Sequence, residues 1–256
     1  MILTDTHSHL YANPFDEDRD QVMYSSISKG ISRIFLPNID SSSIDEMLKL
    51  EKAYPENCFA MMGLHPCSVK DNYMEELSLV ENWLNKREFC AIGEIGIDLY
   101  WDQSTLEIQQ EAFRTQINWA KARNLPFVIH CRDAFNEIFE IMDELNDDKM
   151  RGIFHCFTGN LEQAQHIINY GGFKLGIGGV VTFKNAGLDQ VVAQTDLKHL
   201  VLETDSPYLA PTPYRGKRNE TAYLIHIAEK VAELHQTSVE YIAEITTSNS
   251  KEVFGF

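Results

Sequence analysis

Eight short apolar runs, separated by amphipathic stretches, constrain the fold of this chain more than any other feature. They fall at 2–6, 32–37, 58–64, 89–95, 126–130, 152–157, 173–177 and 199–204. Several are continuously apolar rather than alternating, as expected of strands in a parallel sheet covered by helices. The stretches between them carry helical signals. Ser43 and Glu46 have capping-box spacing, as do Ser104 and Glu107. Asp133 and Asn160 stand where helices after the fifth and sixth runs begin. Leu224, Ile227, Ala228, Val231 and Leu234 form one stripe. Residues 237–240 open a last helix, and Gly255 follows its end. Eight strands alternating with helices over 256 residues predict one α/β domain, a (β/α)8 TIM barrel spanning 1–256. A doubly wound open sheet is the alternative. No linker, repeat or shift of composition divides the chain.

A barrel of this kind gathers its chemistry at the carboxyl ends of its strands, and the polar residues there are distinctive. His7 and His9 follow the first run and share a strand face. Alone, such a pair is as readily surface or capping residues. His65 follows the third run, Glu94 ends the fourth, His130 the fifth and His155 the sixth, while Glu203 and Asp205 end the eighth. Several carboxylates cannot share one mouth without a counter-charge, because like charges raise each other's pKa and burial adds to the cost. A divalent cation removes the conflict. Imidazoles beside carboxylates suit zinc or manganese, and carboxylates with water also suit magnesium. Four imidazoles and two carboxylates exceed the needs of one tetrahedral ion. Two metals are therefore expected, His7, His9 and Asp205 on one and His130 and His155 on the other. Glu94 is the expected bridge because its strand lies between the two groups in barrel order, and bridged ions sit roughly 3.5–4 Å apart.

Other residues carry plainer readings. His166, His199, His226 and His235 are expected to be structural or solvated. Asp5 shares the face of His7 and His9, but can simply hold neighbouring backbone, and Asp98 is a turn former. Cys131 and Cys156 are expected to point into the barrel wall. The five cysteines lack paired Cys-x-x-Cys spacing and read as reduced thiols rather than disulfides or a structural zinc. No signal peptide or long apolar span is present, so a soluble, cytoplasmic protein with no membrane partner is expected. The net charge of −16 opposes a protein that wraps nucleic acid. The longest basic patch is 215–218.

The segments Asp5-Thr6-His7-Ser8-His9-Leu10, Gly63-Leu64-His65-Pro66, Gly93-Glu94-Ile95-Gly96-Ile97-Asp98, His130-Cys131-Arg132-Asp133-Ala134, His155-Cys156-Phe157-Thr158-Gly159 and Glu203-Thr204-Asp205-Ser206-Pro207-Tyr208-Leu209, with the run 213–220, cover the chain in order. Together they resemble the TatD family of metal-dependent deoxyribonucleases, among the amidohydrolase-like barrels. The resemblance implies a divalent metal centre and hydrolysis of DNA phosphodiesters, often from the 3′ end. It places metal ligation on His7, His9, Glu94, His130, His155 and Asp205, and sets His65 near the substrate phosphate. Glu94 stands where many amidohydrolase relatives carry a carboxylated lysine. Leu99 and Thr221 depart from the family pattern, away from the ligands, and bear on substrate fit. On this reading a two-metal-activated water attacks phosphorus, with Asp205 as general base. Glu203 orients ligands from behind, His65 and Arg215 hold phosphate, and Tyr208 and Tyr214 stack on a terminal base. The expected partner is a single-stranded DNA end, held by few phosphates and so with a shallow salt slope. Alternatives are a two-metal hydrolase of a lactone, amide, phosphotriester or aminoacyl ester, and a non-catalytic nucleic-acid-binding protein.

Overall fold

The computed structural model describes all 256 residues. Its strands are β1 (Leu3–Asp5), β2 (Ile31–Leu36), β3 (Cys58–Ala60), β4 (Ile92–Asp98), β5 (Phe127–Arg132), β6 (Gly152–Phe154), β7 (Phe173–Ile177) and β8 (Leu200–Leu202). Every pairing is parallel and follows chain order, in two ladders, β1-β2-β3 and β4 through β8. Isolated parallel bridges span both gaps, Met62 with Ile92 on one side and Ser8 with Ser206 on the other. The Thr6 N–H also donates to the Leu202 carbonyl at 3.0 Å. The strands therefore close into a (β/α)8 barrel, and the open sheet is excluded. The strands are shorter than the apolar runs at 2–6, 58–64 and 199–204, because each run leaves its ladder at the carboxyl end, where its polar residues begin.

Around the barrel lie α1 (Arg19–Ser28), α2 (Ile44–Ala53), α3 (Tyr73–Lys86), α4 (Leu106–Arg123), α5 (Phe135–Leu145), α6 (Leu161–Asn169), α7 (Leu188–Gln194), α8 (Leu224–Leu234) and α9 (Val239–Phe254). None is long and apolar enough to cross a membrane. Two apolar layers result. The larger packs helices on the outer strand faces, for example Phe113, Ile117 and Ile138 with Ile95, Ile97 and Ile129. The smaller joins Phe35, Met61, Val128, Ile153 and Val201 with Val253, and the Phe254 ring stacks on Phe35 at 3.8 Å. Val128 lies two residues before His130, Ile153 two before His155, and Val201 two before Glu203. Residues two apart on a strand share a face, so this smaller layer is the dry floor beneath the polar mouth.

The start signals hold unevenly. Asn160 forms a full capping box with Gln163, Ser238 caps α9, and Gly255 ends it at φ 79°. Ser43 does not cap α2 through its side chain: its hydroxyl accepts from the Ile39 and Asp40 N–H groups instead. Before α4 the cap is Asp102, which accepts from the Ser104 N–H ahead of a 3-10 turn. Asp133 sits at φ 53°, one residue before the N-cap Ala134.

At the seam, buried polar groups tie β1 to the end of β8 and brace the segment that follows it. Asp5, wholly buried, accepts from the Thr204 N–H at 2.9 Å, the Thr204 hydroxyl at 2.6 Å and the His7 N–H at 3.3 Å. Buried Asn219 donates to the Thr204 and Tyr208 carbonyls, both at 2.7 Å. Arg218 then makes two bonds to Asp18, at 2.8 and 2.6 Å, and one to Glu220. The bonds from Arg218 hold the Asp18 carboxyl below its usual range. A depressed folded pKa stabilises above the unfolded value of about 3.9 and loses that contribution as pH falls through the folded one. Asp18→Asn is expected to cost no more than about 1 kcal/mol at pH 7, since the pair is partly exposed. In urea titrations the difference from wild type should shrink below about pH 4.

Candidate metal centre

Glu94, on the fully buried strand β4, stands at the centre of the mouth. Its Oε2 lies 3.1 Å from His7 Nε2 and 3.6 Å from His9 Nε2. Its Oε1 lies 2.7 Å from both His130 Nδ1 and His155 Nε2, and 3.4 Å from His65 Nε2. Asp205 Oδ1 approaches the His7 and His9 Nε2 atoms at 3.7 and 3.6 Å. Thus the barrel brings His7, His9, Glu94, His130, His155 and Asp205 together, and His65 with them.

Imidazole tautomers are set from behind. The Tyr11 hydroxyl donates to the Pro37 carbonyl at 2.6 Å, so it accepts from His9 Nδ1 at 2.9 Å. The His9 Nε2 lone pair is thereby left facing the carboxylates. His130 Nε2 donates to Asp98 Oδ2 at 2.9 Å, which leaves Nδ1 facing Glu94. His65 Nδ1 accepts from the Cys67 N–H at 3.0 Å. Glu203 lies wholly buried behind His155, its Oε1 3.4 Å from His155 Nδ1 and accepting from the Cys156 N–H. Its Oε2, together with His155 Nδ1 and His7 Nδ1, has no hydrogen-bond partner. The His7 and His155 rings stack at 3.8 Å above it.

The electrostatics are those of a site short of positive charge. Burial opposes ionisation of Glu94, but His155, His65 and His7 outweigh it and hold its carboxyl well below the usual range. Asp205 has less support. Burial pushes it up to about 7 against the pull of His155 and His9. Burial and the neighbouring His155 drive His7 well below the ordinary imidazole value. For His155, burial is overcome by Glu94 and Glu203, which drive it well above. Burial is likewise overcome at Asp98, where the bond from His130 brings the carboxyl down to about 2.

These residues fit divalent cations. Ring nitrogens face each other across 3.3 Å (His7 and His9) and 3.4 Å (His130 and His155), with a buried carboxylate between the pairs. Two nitrogens so placed share at most one proton, whereas a cation satisfies both. Donor atoms within 4.8 Å of one another come from His7, His9 and Glu94, from His65, Glu94 and His130, and from His7, His155 and Glu203. Mixed nitrogen and carboxylate donors suit first-row ions such as zinc and manganese.

The tips open into a cavity of about 720 Å³. Cys67, Cys131 and Cys156 line it; Cys131 also packs against the larger apolar layer, as expected of a wall residue, whereas for Cys156 contact with the mouth corrects the expectation that it faces the wall. Cys156 leaves strand geometry at φ 44°, and the cavity spreads over the end of β5, so neighbouring residues of both faces reach it. Burial pushes the Cys131 thiol up to about 12 and Cys156 well above its usual value, which keeps both protonated. Tyr208 lines the cavity. Arg215 does not: its guanidinium lies over the Phe183 ring at 4.3 Å. Tyr214 is stacked on Tyr223 at 4.0 Å. Asp98 is both turn former and partner of His130. His166, His226 and His235 bind Asp143, Glu229 and the Val192 carbonyl, away from the mouth. Sequence reasoning gave no role to Arg132 or Trp101, which also line the cavity. The available signal was position: Arg132 is two residues beyond His130, and Trp101 three beyond Asp98.

A model of the family described as TatD related DNase matches residues 4–255. The chain is 39% identical over 254 residues to the uncharacterized metal-dependent hydrolase YabD of Bacillus subtilis, covering 99% of each protein. It is 31% identical over 252 residues to the 3′-5′ ssDNA/RNA exonuclease TatD of Salmonella typhimurium, covering 96% of each. Among solved structures it resembles YjjV, a TatD homolog from Escherichia coli, with a TM-score of 0.93 and 27% identity over 99% of this chain and 98% of that one.

Proposed function

The chain belongs to the TatD related DNase family, and on that footing we propose that it is a metal-dependent hydrolase that shortens single-stranded DNA from its 3′ end. The observation that carries this reading is Glu94, whose two oxygens face two separate sets of imidazoles. His7, His9 and Asp205 would hold one divalent ion and His130 and His155 a second, with Glu94 shared. A bound pair of such ions makes water more acidic and offsets charge on phosphate oxygens.

The chain's own groups do the rest. Asp205 is the carboxylate at the open side of the mouth, lining the cavity, and it accepts the proton of the attacking water. His65 accepts at Nδ1, so its neutral ring carries the proton on Nε2 and donates into the mouth, to a phosphate oxygen. Asp98 and Tyr11 hold His130 and His9 in the tautomers that present a lone pair to a cation. Glu203 places a buried carboxylate behind His155, 3.4 Å from its Nδ1. The apolar floor excludes water from below, which strengthens each of these interactions.

The reading is tested by incubating protein loaded with magnesium, manganese or zinc with a 5′-labelled single strand. A ladder shortening from the 3′ end, abolished by chelator, is expected. A chelator-sensitive activity confined to a panel of lactones and aminoacyl esters, with intact DNA, would replace it with the wider hydrolase reading. Glu203→Gln is expected to weaken metal affinity about 10- to 100-fold, the usual cost of losing a partner behind a ligand. Competition with a chelating dye reads this directly, and unchanged circular dichroism excludes unfolding.

A further inference from the structure

At the rim of the mouth, beside β4 and β5, stands a group of side chains without an assigned task. Trp101 is 71% exposed and Tyr100 53% exposed, although both are large and partly apolar. Their rings meet edge to face at 4.8 Å. The Arg132 guanidinium lies 3.7 Å above the Tyr100 ring and 5.6 Å from the Trp101 ring. Arg132 forms no salt bridge or side-chain hydrogen bond, and its guanidinium packs on the two rings. It is also the one Lys or Arg lining the cavity, in a chain of net charge −16.

The group is fixed in place. Asp98 Oδ1 accepts from the Tyr100 N–H at 3.0 Å and more weakly from the Trp101 N–H at 3.4 Å. Its other oxygen accepts from His130 Nε2. One carboxylate therefore ties the aromatic turn to an imidazole of the candidate metal centre. Asp98 pairs with Arg132 in the β4–β5 register, and the Leu99 N–H donates to the Arg132 carbonyl at 3.0 Å. The backbone of the aromatic turn is thereby anchored beside that of Arg132.

An exposed indole face, a planar cation with free donors and a cavity leading to a phosphate-hydrolysing centre suit one kind of ligand. We infer that Trp101 and Arg132 form a nucleotide subsite, in which the indole stacks on an unpaired base and the guanidinium binds the phosphate attached to it. This rests on the hydrolase reading above and adds to it a reason for single-strand preference, since a paired base cannot offer its face. Aromatic stacking tolerates any base, so the subsite selects strandedness rather than sequence. The guanidinium's fork matches two phosphate oxygens.

The test compares a labelled oligothymidylate with the same strand whose last two residues are abasic. Wild type should favour the base-bearing strand by about tenfold in kcat/KM, within the range stacking supplies. In Trp101→Ala that preference should collapse toward one, through KM, and Trp101→Phe should keep most of it. Arg132→Gln should raise KM for both strands, because both carry the phosphate. A preference unchanged in Trp101→Ala overturns the subsite. If wild type cuts neither strand, the hydrolase reading fails instead, and indole fluorescence decides the subsite: oligothymidylate should quench wild type more than Trp101→Phe, and equal quenching overturns it.

Discussion

Glu94→Gln is expected to lower kcat on single-stranded DNA by about 10³-fold or more, which corresponds to roughly 4 kcal/mol of lost transition-state stabilisation. The amide keeps the shape of the carboxylate but not its charge. It can offer one oxygen to one set of imidazoles, while its NH2 group faces the other set. No side chain nearby replaces the lost anion: Asp205 reaches only His7 and His9, and Glu203 lies behind His155. Bound metal per chain, measured by elemental analysis after gel filtration, should therefore fall together with the rate. The barrel should remain folded, because the floor formed by Phe35, Val128, Ile153 and Val201 makes no use of Glu94. A variant with full metal content and normal turnover would remove the shared carboxylate from the proposal.

Asp5→Ala should have the largest effect on stability, about 3–5 kcal/mol, from three buried donors left without an acceptor. That is a large share of the stability of an ordinary domain. Asp5 serves as the acceptor of three bonds, although burial pushes its carboxyl up to about 7 against the bonds from Thr204. Asp5→Asn should accordingly cost less than Asp5→Ala. Its amide oxygen can still accept from the Thr204 N–H, and the Thr204 hydroxyl can turn to accept from the amide. Urea midpoints of the two variants give the order, and a loss below about 1 kcal/mol in Asp5→Ala would show that the seam is held elsewhere.

Much of this molecule was legible in the chain. Short apolar runs such as 58–64 and 126–130 read as strands covered on both faces, and the number and spacing of such runs lead to a closed barrel. Strand periodicity alone brings His7 beside His9, and barrel order sets Glu94 between the first and last ligand-bearing strands. Short-range signals were less secure where a distant group competes for the same atom. The Ser43 hydroxyl bonds the chain before α2 and so does not cap it. Arg218 reads as a free cation in a basic run, but its partner Asp18 lies 200 positions away in the chain. Tyr214 reads as an exposed ring, yet Tyr223 covers one of its faces. Arg132 was hidden for the opposite reason: an arginine after a histidine is unremarkable until the fold leaves it lining a cavity without a salt bridge of its own.

The seam between the first and last strands has a consequence for how the molecule is made. Asp205, and Thr204 which answers Asp5, enter the polypeptide long after the four imidazoles and Glu94 have been synthesised. A nascent chain that stops short of β8 carries most of the donors, but it has neither the closing strand nor Asp205. The donor set is thus complete only once the last strand has joined the first.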